Sequence, residues 1–304
     1  MKLLIVTGIY PPAIGGSATY SALLARELPK RGFEVSVLTY GKVSSRQART
    51  INYSSSESDA ASDESRSAVY KVSNSYPKGL RHLIYFFKLL LLARKSDVVL
   101  AADSSFGAAT VAAIACRLLG KKFIVRVTGD YAWEQGAQRF GVEDLIDEFQ
   151  KNKYGWRVGF LRKCQSYAVR IADIIIAPGE YLRGLAVGWG ADPQKVFVIN
   201  NAVDTPHLNP DSFPPPSAEG GGAGGGFPFI VISAGRLVPW KGFELLIEAV
   251  AELNAEIPEI KLTIVGSGPD KEKLISVIAG NVESSLRVRQ PAEKQSYNNV
   301  ESSL

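Results

Sequence analysis

The chain has 304 residues, of which 46% are hydrophobic and 21% are charged, and its formal net charge is +5. This composition is that of a soluble globular protein of about two domains. The modest positive charge is compatible with an anionic small ligand or an anionic membrane surface. No basic stripe with interleaved aromatic residues is present, so nucleic acid is not an expected partner.

Two features bear on the cellular compartment. Cys116 and Cys164 form neither a disulfide framework nor a zinc-ligand spacing, which fits a reducing cytoplasm. The N-terminal apolar run is too short for a signal peptide and is broken by Gly8 and Pro11, so it predicts a buried first strand. We therefore expect a cytoplasmic protein, and peripheral contact with the inner face of a membrane stays open.

The first half of the chain alternates short apolar runs with helical patterns. Strands separated by helices predict an α/β fold with a parallel sheet covered on both faces. Gly32 and Gly120 are predicted to end two of the helices. The predicted strands are 3–7, 34–39, 97–101, 122–127, 174–177 and 196–199, and the predicted helices are 17–31 and 106–119.

The most apolar segment, 83–93, is too short to span a bilayer and contains Lys88. We favour a buried helix that packs on the sheet. The alternative is a helix that docks at an anionic membrane surface, because basic residues flank it on both sides. These flanking residues are Arg81, His82, Arg94 and Lys95.

Two segments interrupt the α/β pattern. Residues 42–68 are rich in Ser, Ala, Asp and Glu and predict a polar excursion. Residues 205–228 are rich first in proline and then in glycine, which is typical of a linker. We therefore predict an N-terminal domain at 1–204, a linker at 205–228 and a partial C-terminal domain at 229–304.

A second β-α-β pattern follows the linker and then stops. The hexapeptide at 281–286 recurs without change at 299–304. Two strands and two helices make a small core, so we expect a truncated end or one that is non-native in register. The predicted strands are 229–234 and 262–265, and the helices run from 243 to about 255 and from 270 to about 279.

The turn Gly235–Gly242 carries the strongest functional signal. It follows a predicted strand and opens a helix near Phe243, with Arg236 and Lys241 inside it. Helix N-termini attract anions, and two added cations suit a doubly charged diphosphate. The alternatives are a surface ion pair for Arg236 and a solvated helix start for Lys241.

The loop 10–17 joins the first strand to its helix. Gly15 and Gly16 allow the backbone to approach a ligand, and Ser17 is a good helix N-cap. The loop is equally compatible with a tight turn of no further function. It matches neither a dinucleotide-binding fingerprint nor a P-loop.

Several short motifs, taken in order, resemble the family-4 glycosyltransferases of the GT-B fold. Each is weak alone, but their order and spacing are shared from residue 1 to about 280. The matching segments are 10–16, 24–28, 31–35, 172–178, 199–204, 235–242 and 265–269.

The resemblance implies two Rossmann-like domains and transfer of a sugar from a nucleotide diphosphate sugar, with retention of configuration. The acceptor, a saccharide or a lipid-linked molecule, would lie on the N-terminal domain. Arg236 and Lys241 would hold the donor diphosphate and face the loop with Gly15 and Gly16 across a cleft. No cofactor and no metal ion are expected, and the histidines, His82 and His207, are too few for a histidine–carboxylate metal cluster.

Further candidate residues follow predicted strand ends, where open α/β sheets bind ligands. Gly266 and Gly268 resemble a family turn near the nucleotide, although an ordinary turn is an equal alternative. Many family members carry a histidine near position 130, whereas this chain has Gly129 and Asp130 there, which departs from a histidine-based activation of the acceptor. Asp130 is a candidate catalytic group, or else a helix cap. Candidate acceptor contacts are Tyr131, Trp133 and Glu134. Four aromatic side chains in this region are expected either to form an apolar platform for sugar rings or to pack in the core. They are Tyr131, Trp133, Tyr154 and Trp156.

One family feature is absent from the chain. The acidic Glu-x7-Glu region, which would contact the donor sugar, is expected beyond the last matched segment, and Glu283 and Glu301 do not replace it. Two other functions therefore stay open. One is a non-catalytic fragment that binds an acceptor or a membrane, and the other is a GT-B sugar-nucleotide epimerase.

Overall fold

The chain forms two compact units, Met1–Val203 and Asp204–Leu304. Each unit has a parallel β-sheet, so the predicted α/β class is confirmed. The predicted linker at 205–228 lies outside the described residues. The computed structural model describes residues 1–41, 67–202, 229–257, 260–281 and 286–289.

The first unit is built on a seven-stranded sheet in the order β3-β2-β1-β4-β5-β6-β7. All paired strands are parallel, so their carboxyl ends meet at one edge. The strands are β1 Lys2–Thr7, β2 Glu34–Tyr40, β3 Ala68–Val72, β4 Val98–Ala101, β5 Lys122–Arg126, β6 Ile174–Ala177 and β7 Val196–Val198.

Helices connect these strands. They are α1 Gly16–Glu27, α2 Lys78–Arg94, α3 Val111–Leu119, α4 Tyr131–Arg139, α5 Ile146–Lys151, α6 Trp156–Ile171 and α7 Glu180–Gly188.

Both faces of the sheet are covered, as the apolar strands require. Leu4 and Val6 point to one face and pack in a cluster with residues of α2, α3 and α6. Leu3 and Ile5 point to the other face and pack with Ala25 of α1. Alternate residues of β1 are therefore buried on opposite sides, and the carboxyl edge of the sheet is left to the loops.

The apolar segment at 83–93 lies within α2 and packs on the sheet, which confirms the favoured prediction. Tyr85, Leu89 and Ala93 are completely buried, and the Tyr85 hydroxyl donates to the carbonyl of Leu38 over 3.2 Å. A second stripe of the same helix is exposed and contains Leu83, Phe87 and Leu91. No helix in the described part of the chain has the length and apolarity to cross a membrane.

The first predicted helix ends earlier than expected and has a different cap. Proline lacks the N–H that would continue a helix, so α1 stops at Glu27 and Pro29–Arg31 forms a short 3-10 turn. Gly32 follows it with a φ of 82°, as predicted for a left-handed end. Ser17 is not the N-cap: the cap position is Gly15, and no side chain bonds to the helix start there.

Other elements differ from the prediction. Edge strand β3, at 68–72, begins at the last residue of the predicted polar segment 42–68. Residues 42–66 of that segment lie outside the described ranges. The predicted helix at 106–119 begins with a π-helical turn at Phe106–Thr110 before α3, and Gly120 ends it with a φ of 62°. No bounds were predicted for helices α4 to α7, although a helix after Asp130 was an alternative.

The second unit has a three-stranded parallel sheet in the order β10-β9-β8. Its core contains Leu237, Ile247, Leu262 and Ile264. The third strand, which pairs in register with β9, corrects the expectation that the regular pattern stops after about residue 279. The elements are β8 Ile230–Ala234, α8 Phe243–Leu253, β9 Lys261–Val265, α9 Lys271–Asn281 and β10 Leu286–Arg289.

Candidate functional site

In the second unit, the candidate donor turn begins where β8 ends. The Gly235 N–H donates to the carbonyl of Val265 over 3.0 Å, and the Leu237 N–H donates to the carbonyl of Ser267 over 3.0 Å. The Leu237 side chain is completely buried in the core of the unit. The residue between them, Arg236, is therefore held by its backbone on both sides while its side chain is exposed.

Gly266 and Gly268 leave no room for a side chain. A Cβ on Gly266 would lie 2.0 Å from the Gly235 carbonyl oxygen, and one on Gly268 would lie 2.0 Å from the Leu237 carbonyl oxygen. The two loops thus pack backbone against backbone. The glycines position the turn that carries Arg236, and their part in donor binding remains a prediction.

Lys241 lies at the other end of the turn. It closes a 3-10 turn, Pro239–Lys241, and Gly242 follows it in the left-handed region with a φ of 67°. That glycine is also the N-cap residue of α8, and it offers no side chain to the first N–H groups of the helix. Among the described residues, neither Arg236 nor Lys241 forms an ion pair, so both cations are available to an anion.

In the first unit, a polar pocket of about 190 Å³ lies at the carboxyl ends of β1, β4 and β5. Its position agrees with the rule that open α/β sheets bind ligands at this edge. The residues that line it are Gly8, Ile9, Ser17, Asp103, Ser104, Ser105, Thr128, Gly129, Tyr131 and Glu134.

Asp103 organises the floor of this pocket. One carboxylate oxygen accepts from the Gly8 N–H at 2.9 Å and lies 3.1 Å from the Thr7 hydroxyl; the other accepts from the Ser105 N–H at 3.0 Å. Sequence reasoning missed this residue because the segment 102–105 resembles any polar loop. Its position directly after the strand β4 was the available signal.

The Ser105 hydroxyl is buried and has no hydrogen-bond partner among the described residues. The neighbouring Ser104 hydroxyl donates to the carbonyl of Gly129 over 3.0 Å. An unpaired hydroxyl in a polar pocket favours a ligand, or water, that can hydrogen-bond to it.

Glu134 brings a second carboxylate to the pocket. A Cβ on Gly129 would lie 2.8 Å from a Glu134 carboxylate oxygen, so the glycine makes space for that carboxylate. Burial raises the pKa of the neighbouring Tyr131 phenol, Arg139 lowers it, and Asp103 and Glu134 add to the rise. Glu134 and Tyr131, both predicted acceptor contacts, thus line one pocket.

Asp130 has the cap role that was its alternative interpretation. It is only 1% exposed, and one carboxylate oxygen accepts from the Trp133 N–H at the start of α4 over 3.0 Å. Side-chain amides of Gln150 in α5 and Gln165 in α6 donate to it over 2.8 and 3.3 Å. This geometry ties three helices together and does not favour a catalytic role for Asp130.

The four predicted platform aromatics separate into two pairs. Trp133 and Tyr154 pack in a small core cluster around Phe149. Tyr131 lines the polar pocket, whereas Trp156 is 79% exposed at the start of α6. Packing is therefore the observed role of Trp133, which was predicted to contact the acceptor.

The Gly15–Gly16 loop has one tight and one open position. A Cβ on Gly15 would lie 2.5 Å from the end of the Ile9 side chain, whereas nothing lies within 4 Å of a Cβ on Gly16. Their role toward the donor stays a prediction. Among the described residues, no group of three or more metal-ligating side chains is close enough to hold a metal ion.

A buried cation, Arg126, lies at the carboxyl end of β5. Its guanidinium stacks 3.9 Å from the ring centre of Tyr20 and donates to the Asn201 side-chain oxygen over 2.6 Å. Burial lowers the pKa of this arginine. The contact joins the end of β5 to the Asn-Asn segment that follows β7.

Two glycosyltransferase family models match the chain, one over most of each unit. Residues 14–207 match Glycosyltransferase Family 4, and residues 226–289 match Glycosyl transferases group 1. The chain belongs to glycosyltransferase family 4. The matched ranges of this family-4 chain include the polar pocket of the first unit except for Gly8 and Ile9, and they include the Arg236 turn of the second unit.

Two curated relatives align with parts of the family-4 chain. A GDP-mannose-dependent alpha-(1-6)-phosphatidylinositol monomannoside mannosyltransferase of Mycolicibacterium smegmatis is 29% identical over 144 residues, 45% of this chain and 36% of its own length. A subunit of the phosphatidylinositol N-acetylglucosaminyltransferase of Arabidopsis thaliana is 36% identical over 85 residues, 28% of this chain and 17% of its own length. The chain thus aligns with about a third or less of each relative.

A solved structure shares the fold. Anabaena HepE in complex with UDP and glucose matches 95% of the family-4 chain and 69% of its own chain, with a TM-score of 0.59 and 19% identity. This likeness supports the GT-B fold class for the two units.

Proposed function

We propose that the chain transfers a sugar from a nucleotide diphosphate sugar to a hydroxyl of an acceptor, with retention of configuration and without a metal ion. The observation that carries the proposal is the Arg236 turn of the second unit. Its backbone is fixed by Leu237 and the β9 loop, and it presents two cations that no described carboxylate pairs. Family membership makes a sugar nucleotide the natural source of the diphosphate.

The chemistry follows from the charge that develops when the sugar leaves. The departing nucleoside diphosphate gains negative charge on its leaving oxygen, and fixed cations stabilise that charge without reorganising. Each charge-assisted hydrogen bond contributes about 1.5–3 kcal/mol. In the proposal, Arg236 and Lys241 supply these bonds, and the glycines at 266 and 268 keep the turn in place.

The polar pocket of the first unit is the proposed site of the acceptor hydroxyl. Glu134 is the group that would orient this hydroxyl or accept its proton, because its carboxylate lies beside Gly129 in the pocket. The Ser105 hydroxyl, which lacks a partner among the described residues, would bond to another oxygen of the acceptor. Asp103 is proposed to hold the floor, since its two oxygens already accept from the protein.

An isothermal titration tests the donor site. With the full chain, Arg236→Ala and Lys241→Ala should each weaken binding of UDP or GDP by about tenfold or more. Lys261→Ala is the matched control, since Lys261 is an exposed lysine at the opposite, amino-terminal end of β9. Unchanged affinity in both turn variants would contradict the phosphate assignment.

A transfer assay tests the reaction. Labelled sugar from the nucleotide should appear on an added acceptor, and Glu134→Gln should lower the rate while nucleotide affinity stays the same. Conversion of the sugar nucleotide into its epimer without any acceptor would instead identify an epimerase. If the chain binds the nucleotide but forms neither a glycosylated acceptor nor an epimer, it is a binding protein and the transfer proposal is refuted.

We also propose peripheral contact between α2 and an anionic membrane. Leu83, Phe87 and Leu91 form an exposed apolar stripe, and Lys88 and Arg94 lie on the same helix. Vesicles of phosphatidylcholine with phosphatidylserine should pellet the wild-type chain at low salt.

The variant Phe87→Ser should pellet less with these vesicles. Leu118→Ser is the control, because Leu118 is also a well-exposed apolar residue (67%) but lies on α3, outside the stripe. The absence of pelleting at low salt, or equal loss in both variants, would rule out this contact.

A further inference from the structure

A groove with aromatic and basic walls runs between the end of α4 and the start of α6. It has two lobes of about 400 and 300 Å³, which share four lining residues. None of these four belongs to the proposed chemistry of transfer. The shared residues are Arg139, Phe140, Trp156 and Arg157.

The cations of the groove lie against its aromatic rings. The Arg157 guanidinium is 5.5 Å from the ring centre of Trp156 and 5.8 Å from that of Phe140. Within the described ranges, neither Arg139 nor Arg157 forms an ion pair. The nearby Asp144 carboxylate is already bonded to the side chains of Tyr154 and Asn152. The groove therefore presents two guanidinium groups that have no ion-pair partner among the described residues, beside apolar surface.

Two large apolar side chains of the groove are exposed one helical turn apart. Trp156 is 79% exposed and Phe160, four residues further along α6, is 50% exposed. Adjoining exposed apolar side chains, unlike single ones, mark surfaces that bind a ligand or partner. Trp133 and Tyr154, by contrast, pack in a core cluster. A ligand that covers Trp156 and Phe160 would remove apolar area from water.

The groove adjoins the polar pocket through one residue. Tyr131 lines both the polar pocket and the smaller lobe of the groove. On its other side, Phe160 packs 5.8 Å from Phe106, measured between ring centres. Tyr131 thus connects the groove directly to the polar pocket.

We propose that the groove binds the anionic, lipid-bearing part of the acceptor, so that the acceptor is an amphiphilic phospholipid with a hydroxylated head group. The phosphate lies between Arg139 and Arg157, and the apolar chain lies on Phe140, Trp156 and Phe160. The hydroxylated head lies beyond Tyr131 in the polar pocket. That the bound lipid is the acceptor rests on the proposed function, whereas lipid binding by the groove does not.

The test is direct binding of a water-soluble lipid to the full chain by isothermal titration. The probe is monomeric dihexanoyl phosphatidylinositol, compared with inositol 1-phosphate, which is the head group alone, and with dihexanoyl phosphatidylcholine, which is zwitterionic. The first should bind at least about tenfold more tightly than either of the others, because only it matches both the cations and the apolar surface.

Two variants separate the contributions. The double variant Arg139→Gln/Arg157→Gln and the single variant Trp156→Ala should each weaken binding of the probe by about tenfold or more. The matched controls, Arg31→Gln and Phe197→Ala, change an exposed arginine and an exposed phenylalanine outside the groove. They should leave the affinity unchanged, and UDP or GDP binding should be normal in every variant.

Three results would overturn the inference. If the head group alone binds as tightly as the lipid, the ligand is a free phosphorylated sugar alcohol. If the arginine variant keeps full affinity, the groove binds only apolar groups. If the groove variants leave lipid binding unchanged, the lipid site is wrong. If the chain then still transfers sugar to a soluble saccharide, the proposed function stands without it. Lipid binding without transfer would support the groove and contradict the transferase proposal alone.

Discussion

The substitution Gly268→Ala tests how the donor turn is held in place. The added methyl carbon would lie 2.0 Å from the carbonyl oxygen, 2.6 Å from the carbonyl carbon and 2.8 Å from the nitrogen of Leu237. These are backbone atoms, so no side chain can rotate away to relieve the contact. The turn that contains Arg236 must therefore move, although the substitution removes no charge.

The size of the effect can be bounded. Overpacking of a tight contact lowers the free energy of unfolding by about 1–3 kcal/mol. For a unit of this size, each kcal/mol lowers the melting temperature by about 4–8 °C. If Arg236 makes a charge-assisted bond worth about 1.5–3 kcal/mol, its loss weakens nucleotide binding by about 10–150-fold. Displacement of the turn should forfeit much of the same binding energy.

A double-mutant cycle isolates the mechanism. UDP and GDP affinities are measured by titration for the wild type, Gly268→Ala, Arg236→Ala and the double variant. If the glycine acts by positioning the arginine, the double variant should bind no more weakly than Arg236→Ala alone. Gly184→Ala in α7 is the control, because nothing lies within 4 Å of a Cβ at that position.

Additive losses would refute this reasoning. They would mean that Gly268 contributes to binding independently of Arg236, for instance by direct approach to the nucleotide. Unchanged melting temperature and affinity in Gly268→Ala would show that the two loops separate at little cost. The control should be neutral or slightly stabilising, since alanine is preferred to glycine inside a helix.

Three other outcomes are expected. Asp130→Asn should lower the free energy of unfolding by about 1–3 kcal/mol in urea titrations, because an amide group would face donors that now bond to a carboxylate; nucleotide affinity should not change. Leu89→Ala should cost about 2–5 kcal/mol in the same assay, whereas Phe87→Ala on the exposed stripe should stay within about 0.5 kcal/mol. Hydrogen bonds from Tyr154, and to a lesser extent from Asn152, lower the pKa of Asp144 in the folded chain. The charged Asp144 carboxylate therefore stabilises the fold above its unfolded pKa of about 3.9, and this stabilisation is lost as the pH falls through the lower folded pKa. Urea midpoints from pH 6 to pH 3 should therefore fall more in the wild type than in Asp144→Asn; parallel curves would contradict this.

The buried parts of the fold were the most predictable from sequence. Strands such as β1 and β6 are continuous apolar runs, because a parallel sheet covered on both faces needs them. Gly32 and Gly120 marked left-handed ends correctly, since few other residues adopt that conformation easily. Edge strand β3 escaped prediction because its pattern is short and half exposed.

The site was less predictable because its residues act through tertiary contacts. The importance of Asp103 depends on N–H groups of Gly8 and Ser105, which lie on two different loops. The reason for glycine at 266 and 268 is the backbone of another strand end, which no local pattern contains. The Asp130 segment was ambiguous for the same reason, since its partners lie 20 and 35 residues further along the chain.

The buried carboxylate of Asp130 has a mechanical consequence for the molecule. It joins the start of α4 to α5 and to the middle of α6, so these helices are restrained against one another. The restraint limits relative movement of Arg139 at the far end of α4 and Arg157 near the start of α6. The walls of the groove are thus partly ordered in advance, which lowers the entropy cost of binding a ligand between them.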